Sequence, residues 1–428
     1  MKTYKILFIF LCIFLFISGS TTAQELKAGA AVRVVTPEKL LPVSGGVGTP
    51  NPVKGTLGDL FVRAMVLEKG NVRVAFVGVD FLGFPTVLCD KARTQIPGIP
   101  PENILIGSTH THSAPDTYGF PDPQGKHGAD LEYLDWVCAQ IATAVNEAVE
   151  KLLPAHLKIA VDEAKGKIAY NYYAPQLYDP RCGVIQAIAA KGPDKGKAIA
   201  TLVNYASHPE ILGPHAGVIS PDFCGPLYER IEARGGGIAL YMNSAQGGMV
   251  TADCRGPDGR DVQTWEECIR IGELLADEAL RIVADAEIQT DPALYCVARP
   301  LTLPIDSKML RYILEKSPLN MGLTDTGSIT VQLNLVNVGT AQILTIPGEA
   351  LPNIGYYMKR NMPTRHPFLF GLTNDALGYI LAKVDFNSFR RYDYISRTSL
   401  GEMTGEIYME EALRLVKDSP EPDNPPPE

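Results

Sequence analysis

The sequence contains no run of lysine or arginine, which argues against a nucleic-acid-binding role. It has 39 basic residues against 48 acidic ones, for a formal net charge of −9. No CxxC and no dense Cys/His cluster occurs, so a thiolate zinc site is not expected. Four other signatures are missing. GxSxG and HExxH are absent, as are GxxxxGK[ST] and a GxGxxG following a strand, which sets aside α/β serine hydrolases, zincins, P-loop enzymes and dinucleotide enzymes as first readings. Beyond the first two dozen residues no stretch is long and apolar enough to span a bilayer. What remains is ordinary globular composition, 46% hydrophobic and 20% charged, with 39 glycines and 33 prolines to supply turns.

The N-terminus follows the pattern of a secretory leader. Lys2 and Lys5 precede an apolar run from Ile6 to Ile17, and Gly19 to Ala23 is small and polar. Residues 1–23 are therefore expected to be a signal peptide cleaved after Ala23, giving a secreted or periplasmic protein. Of the eight cysteines, Cys12 falls in this leader. The other seven show no disulfide framework and read as small buried hydrophobes. Residues 24–416 read as a single domain. The acidic, proline-rich stretch 417–428 reads as a disordered tail.

Apolar runs alternate with amphipathic stretches. Strands are expected at Val72–Phe81, Asn103–Thr111, His156–Asp162, Ile199–Ala206, Ile238–Asn243, Ile329–Val338, Ala341–Ile346 and Phe368–Leu372. Helices are expected at Asp130–Leu153 and Trp265–Ala284, with Leu131 and Ile269 among the residues of their apolar stripes. The turn at Asn337–Thr340 makes its flanking strands antiparallel. The fold class is thus α/β, a layered mixed β-sheet core flanked by helices.

Only seven histidines occur, and their placement is informative. His110 and His112 follow the Asn103–Ile106 run. In an extended segment they would share one face, an arrangement that suits a divalent metal; a hydrogen-bonded surface pair is the competing reading. His208 ends a second strand, and ligand-bearing loops collect where strands of an α/β sheet end. Carboxylates stand in similar places, at Asp80, Glu349 and Asp375. Imidazoles with a carboxylate make a zinc site that keeps room for water. The turn Asn243–Asp253 is glycine-rich, so backbone N–H groups around Gly248 could face a developing negative charge.

These segments, taken in order, resemble the catalytic domain of the neutral/alkaline (non-lysosomal) ceramidase family. The matching motifs are Ala31–Pro37 (AVRVVTP), Phe76–Asp80 (FVGVD), Ser108–Pro115 (STHTHSAP), Asn204–His208 (NYASH), Asn243–Asp253, Pro347–Glu349 (PGE) and Gly371–Tyr379 (GLTNDALGY). They span roughly residues 28–415. The resemblance implies a ceramidase-like fold and a zinc-dependent amidase that cleaves an N-acyl bond. It implies His110, His208, Glu349 and Tyr379 as zinc ligands, with His112 beside the ion. Tyr392 best matches a further helper tyrosine, and Asp375 would be a hydrogen-bonding partner of the site.

The sequence departs from the family at the nucleophile. Val250 stands where the family has serine, and Thr251 lies one residue out of register; Thr251 and Ser244 are the candidate replacements. Tyr172 occupies the place of a family arginine, and the family's immunoglobulin-like C-terminal domain has no counterpart here. Three readings of function stay open: a zinc amidase acting on an N-acyl lipid through metal-activated water, a zinc enzyme of the same fold acting on a glycan or amino sugar, and a catalytically silent metal-retaining binding protein. An apolar groove by the metal would favour the first. A polar pocket lined by aromatics such as Tyr118, Tyr170, Tyr172 and Tyr173 would favour the second.

Overall fold

A computed structural model describes residues 24–122 and 124–423. The expected signal peptide lies outside the described residues. Eight long strands build the main sheet: β1 (Lys27–Val34), β2 (Phe61–Lys69), β3 (Val72–Val79), β4 (Ile104–Ser108), β5 (Leu153–Glu163), β6 (Arg181–Ala189), β7 (Ala198–Tyr205) and β8 (Ile238–Asn243). Their order is β8-β7-β6-β5-β1-β2-β3-β4, and the short strand Ile288–Gln289 pairs with β5 as a ninth member. The pairs β3/β4 and β7/β8, at the two ends of this path, are parallel. A second sheet has the order β9 (Leu294–Pro304), β10 (Ser328–Val338), β11 (Ala341–Thr345), β12 (His366–Phe370). Its β10/β11 pair is antiparallel across the expected turn, and β11/β12 is parallel.

Period-two alternation explains how the layers form. On β3, Val74 and Phe76 point into the core between the two sheets, against Val336, Ile343 and Phe370. Ala75, Val77 and Val79 point the other way. They meet Leu88 and Ala92 of α1 (Thr86–Arg93) and Leu134, Val137 and Ile141 of α2 (Leu131–Glu150). At the other end of the sheet, Val184, Val203 and Tyr241 pack under α3 (Cys224–Ala233) and α4 (Trp265–Ala284). The outer face of the second sheet is covered by α5 (Lys308–Lys316), α6 (Pro352–Arg360) and α8 (Thr404–Asp418). The short α7 (Asp393–Arg397) precedes α8. The layers run helix, sheet, sheet, helix. Among the described residues no helix is long and apolar enough to cross a membrane.

The two strong helices start where their caps predict. Asp130 accepts from Tyr133 N at 3.0 Å. Thr264 accepts from Glu267 N at 3.4 Å. α2 ends at Glu150 rather than Leu153, because Pro154 has no N–H to continue it. Leu131 and Ile269 are exposed and lie off the apolar stripes. The tail also differs from expectation. Asn337 donates to Pro420 O, Asp423 N donates to Gly339 O, and Asp423 Oδ2 accepts from Ala293 N, so the chain is pinned along the second sheet as far as Asp423. Residues 424–428 lie outside the described residues. The seven described cysteines form no disulfide, and six of them are buried.

One feature of the main sheet positions the site. It curls until its end strands meet. A Cβ on Gly78 of β3 would lie 3.0 Å from Tyr241 O, and one on Gly107 of β4 would lie 2.5 Å from Met242 Cε. Glycine at both places lets β8 close against β3 and β4. The loops that follow β4 and β7 are thereby brought side by side.

Candidate metal centre

His110 follows β4, His208 follows β7, and Glu349 follows β11, each in the loop beyond a strand's C-terminal end. Asn243, at the end of β8, ties two of these loops together. Its Nδ2 donates to Thr109 O at 3.0 Å and to Ser207 O at 2.9 Å. Its Oδ1 accepts from Ser207 N and Ser244 N. The neighbours of both ligand candidates thus hang from one buried amide.

His110 and His112 do come together, though not as alternating residues of a strand. β4 ends at Ser108, and His110 adopts a left-handed backbone with φ 77°. That conformation is unusual for a residue with a Cβ. It is held by Thr109 N donating to Val79 O and His110 N donating to Phe81 O. The rings of His110 and His112 then lie edge to face with centroids 4.9 Å apart, and His208 is 4.7 Å from His110.

The ring nitrogens are sorted by their partners. His110 Nδ1 is 2.5 Å from Leu82 O, and His208 Nδ1 is 2.8 Å from Val250 O. Each Nδ1 carries a proton to donate to a carbonyl, so Nε2 is the atom that each ring turns toward the site. Both Nε2 atoms face one carboxylate oxygen. Glu349 Oε2 lies 3.1 Å from His208 and 3.5 Å from His110. His112 Nδ1 faces Glu210 Oε2 at 3.4 Å, and its buried Nε2 has no hydrogen-bond partner. Ligand atoms of His110, His112 and His208 all lie within 4.8 Å of one another.

The electrostatics fit a cation. Burial would raise the Glu349 carboxyl, but His110 and His208 outweigh it and hold the group below the usual carboxylate range. Burial would likewise lower His208, yet Glu210 and Glu349 push it up to about 9. Burial, then His110 and His208, drive His112 well below the usual imidazole range, so it stays neutral. A buried carboxylate kept ionised beside three clustered imidazoles, one of them with an orphaned Nε2, is a donor set that a divalent ion could take by displacing the proton held at His208.

The other expected residues fall in different places. Tyr379 pairs with Glu349 in a short parallel bridge and lines the same cavity; its hydroxyl contacts Met249 Sδ at 3.1 Å. Asp375 is turned away. Its Oδ2 accepts from Thr86 Oγ1 at 2.6 Å and its Oδ1 from Ala376 N, so it anchors the first turn of α1 instead of contacting the histidines. Asp80 is likewise structural, accepting from Phe61 N and Tyr228 Oη. Tyr392 packs against Phe389 and Tyr173. The tyrosine that reaches the cavity is Tyr394, two residues on, because the helical turn at 390–397 separates the two rings. Gly247 N donates to Ala350 O, so that N–H is already engaged. A Cβ on Gly247 would lie 2.1 Å from Glu349 O, and Gly248 has φ 70°; this glycine pair lets the turn pack onto the backbone of Glu349. Val250 is a buried core residue beneath α3 and α4. Thr251 faces a neighbouring cavity and Ser244 neither one. Glu210, Asn243 and Tyr394 are the site residues that the sequence did not single out.

A cavity of about 740 Å³, counting its open mouth, adjoins the histidines. His110, His112, Glu349, Tyr379 and Tyr394 form its polar side. Most of the remaining wall is apolar, with Leu82, Phe120, Leu310, Ile313, Leu314, Met321, Leu377 and Leu400, and Tyr118 and Thr398 also line it.

Among solved structures, a neutral ceramidase from Pseudomonas aeruginosa superposes with a TM-score of 0.76, covering 95% of this chain and 77% of that one. The chain has the neutral ceramidase fold. A second structure, a ceramidase complexed with C2, gives a TM-score of 0.77 over the same shares. Identity is 16% in both cases, so the likeness is one of fold. No family model and no curated protein matches the sequence.

Proposed function

We propose that this chain is an exported, zinc-dependent hydrolase that cleaves the N-acyl bond of an amphiphilic amide. The observation that carries the reading is the imidazole and carboxylate cluster on the wall of an apolar cavity: a donor set for a Lewis acid next to a surface that accepts an acyl chain. The two neighbouring ceramidase structures support it at the level of fold.

His110, His208, Glu349 and Tyr379 would hold the ion, with His112 beside it. Zinc bound there would lower the pKa of water to about 7 and polarise a carbonyl. The remaining steps belong to the chain. The apolar wall from Leu82 to Leu400 seats the acyl chain and excludes water. A water oxygen bonds to the carbonyl carbon, the C–N bond breaks, and its electron pair stays on nitrogen. Nitrogen takes a proton and leaves as the amine. His112, neutral and held by Glu210, is placed to move that proton through Nε2. No serine takes part: position 250 is valine, its side chain in the core.

The test is metal content and turnover together. Purified protein is expected to hold about one zinc per chain and to hydrolyse N-dodecanoyl ethanolamine. A chelator and His208→Ala should each abolish both. Hydrolysis that survives zinc removal would overturn the reading.

A further inference from the structure

A second cavity, about 690 Å³, lies beyond Tyr394, which lines both. Its character is opposite to the first. Tyr170, Tyr172, Tyr173, Glu210 and Asp261 contribute to its lining, and no lysine or arginine does. Tyr170 and Thr251 are 7% and 9% exposed, and both line this cavity. The ring of Tyr170 is fixed from one side by the Arg255 guanidinium, 3.7 Å from its centroid, which is itself ion-paired to Asp253. Tyr172 and Tyr173 meet edge to face at 5.5 Å, and Tyr172 is 61% exposed. Glu210 joins this cavity to the histidines through His112.

We propose that this cavity is a subsite for a polyhydroxylated amine head of amino-sugar size. The inference rests on the hydrolase reading above and names its substrate class: an N-acyl amino sugar, with its chain in the apolar cavity and its ring among the tyrosines. Aromatic faces take the C–H face of a sugar ring, the Tyr170 and Thr251 side chains offer hydroxyls to its hydroxyls, and the carboxylates of Glu210 and Asp261 receive the ammonium released when the amide is cleaved. The scissile bond then falls between the two cavities, beside His112.

The experiment compares N-dodecanoyl glucosamine with N-dodecanoyl ethanolamine as substrates, and separately titrates the zinc-loaded protein with glucosamine and with ethanolamine by calorimetry. Wild type is expected to favour the glucosamine amide at least tenfold in kcat/KM, and Tyr172→Ala to reduce that preference at least fivefold. Glucosamine is expected to bind more tightly than ethanolamine, and Asp261→Asn to weaken it at least fivefold; both altered side chains are exposed, so folding should be unaffected. Equal rates on the two amides together with no selective glucosamine binding would overturn the subsite and leave the hydrolase standing. Selective, Asp261-dependent glucosamine binding with neither amide hydrolysed would keep the subsite and overturn the hydrolase.

Discussion

Replacing Asn243 by alanine should loosen the candidate metal site as a unit, although the side chain is not among its proposed ligands. The amide is buried. It donates to Thr109 O and Ser207 O and accepts from Ser207 N and Ser244 N. Removing it strands up to four buried backbone groups, each of which costs about 1–3 kcal/mol when unpaired. Some of that loss would be relieved, since Ser207 O also faces Tyr241 Oη at 3.4 Å. The net destabilisation should be roughly 3–5 kcal/mol, at the upper end for one substitution. Thr109 and Ser207 are the residues before His110 and His208, so zinc affinity should fall about 10–100-fold, as when the support of a ligand is removed. Asn204→Ala is the control. Asn204 is as buried and donates to Met242 O, Asn243 O and Leu369 O, but not to the loop residues flanking the two histidines. It should lose similar stability and keep its zinc affinity. Urea unfolding measures the first quantity, and competition with a chromogenic chelator the second. Equal loss of affinity in both variants would refute the tether and reduce the effect to general loosening.

Other substitutions separate site from scaffold. Gly247→Ala would press a Cβ to 2.1 Å from Glu349 O, so zinc content should drop even though the turn carries no ligand; unchanged zinc content in that variant would contradict the packing described. Val250→Ser, which introduces the serine of the motif that this segment resembles, should give no gain in hydrolysis and cost about 1–3 kcal/mol, because the hydroxyl enters a buried apolar cluster; a rise in rate, or an acyl-enzyme seen by mass spectrometry, would refute this. Asp375→Asn should leave zinc content intact. Burial raises the Asp375 carboxyl from 3.8 to about 6 despite hydrogen bonding from Thr86. The folded state therefore binds its proton more tightly than the unfolded one, and its contribution to stability falls as pH rises from about 4 to about 6. Melting curves across that window should show a shallower pH slope in the variant, and an unchanged slope would discount the assignment.

That His110, His208 and Glu349 belong together was legible from the sequence because these residues sit at strand ends, and strand ends are readable. Buried parallel strands such as β4, β7 and β11 are short continuous apolar runs, and the first polar residues after them are those that loops present. His110, His208 and Glu349 stood out for that reason. The roles of Asp375 and Tyr392 did not follow, because a residue's place in a motif fixes neither the direction of its side chain nor the path of the next turn. Asp375 was drawn to the first turn of α1, nearly 300 residues earlier in the chain, and the turn after Arg390 put Tyr394 in the cavity instead of Tyr392. Strands β1, β2, β6 and β9 were also missed. β2 carries Arg63 in its interior, an apparent break in the apolar pattern, yet that guanidinium is buried over Tyr228 at 3.9 Å and paired with Glu232.

The convergence of the histidines was not visible in any local pattern. His110 and His208 are nearly a hundred residues apart and follow strands at opposite ends of the main sheet's hydrogen-bonded order. They meet because the sheet curls, and it curls tightly enough only because Gly78 and Gly107 let β8 approach β3 and β4. Each of these residues reads locally as a glycine that weakens a strand. Together with the Asn243 amide, which reads locally as one polar residue ending an apolar run, they convert two distant loops into one ligand set. The left-handed backbone of His110 belongs to the same device. An extended His110 would point along the continuation of β4, whereas φ 77° turns its ring toward His208 and Glu349. Part of the backbone strain thus falls on the residue whose imidazole completes the histidine cluster.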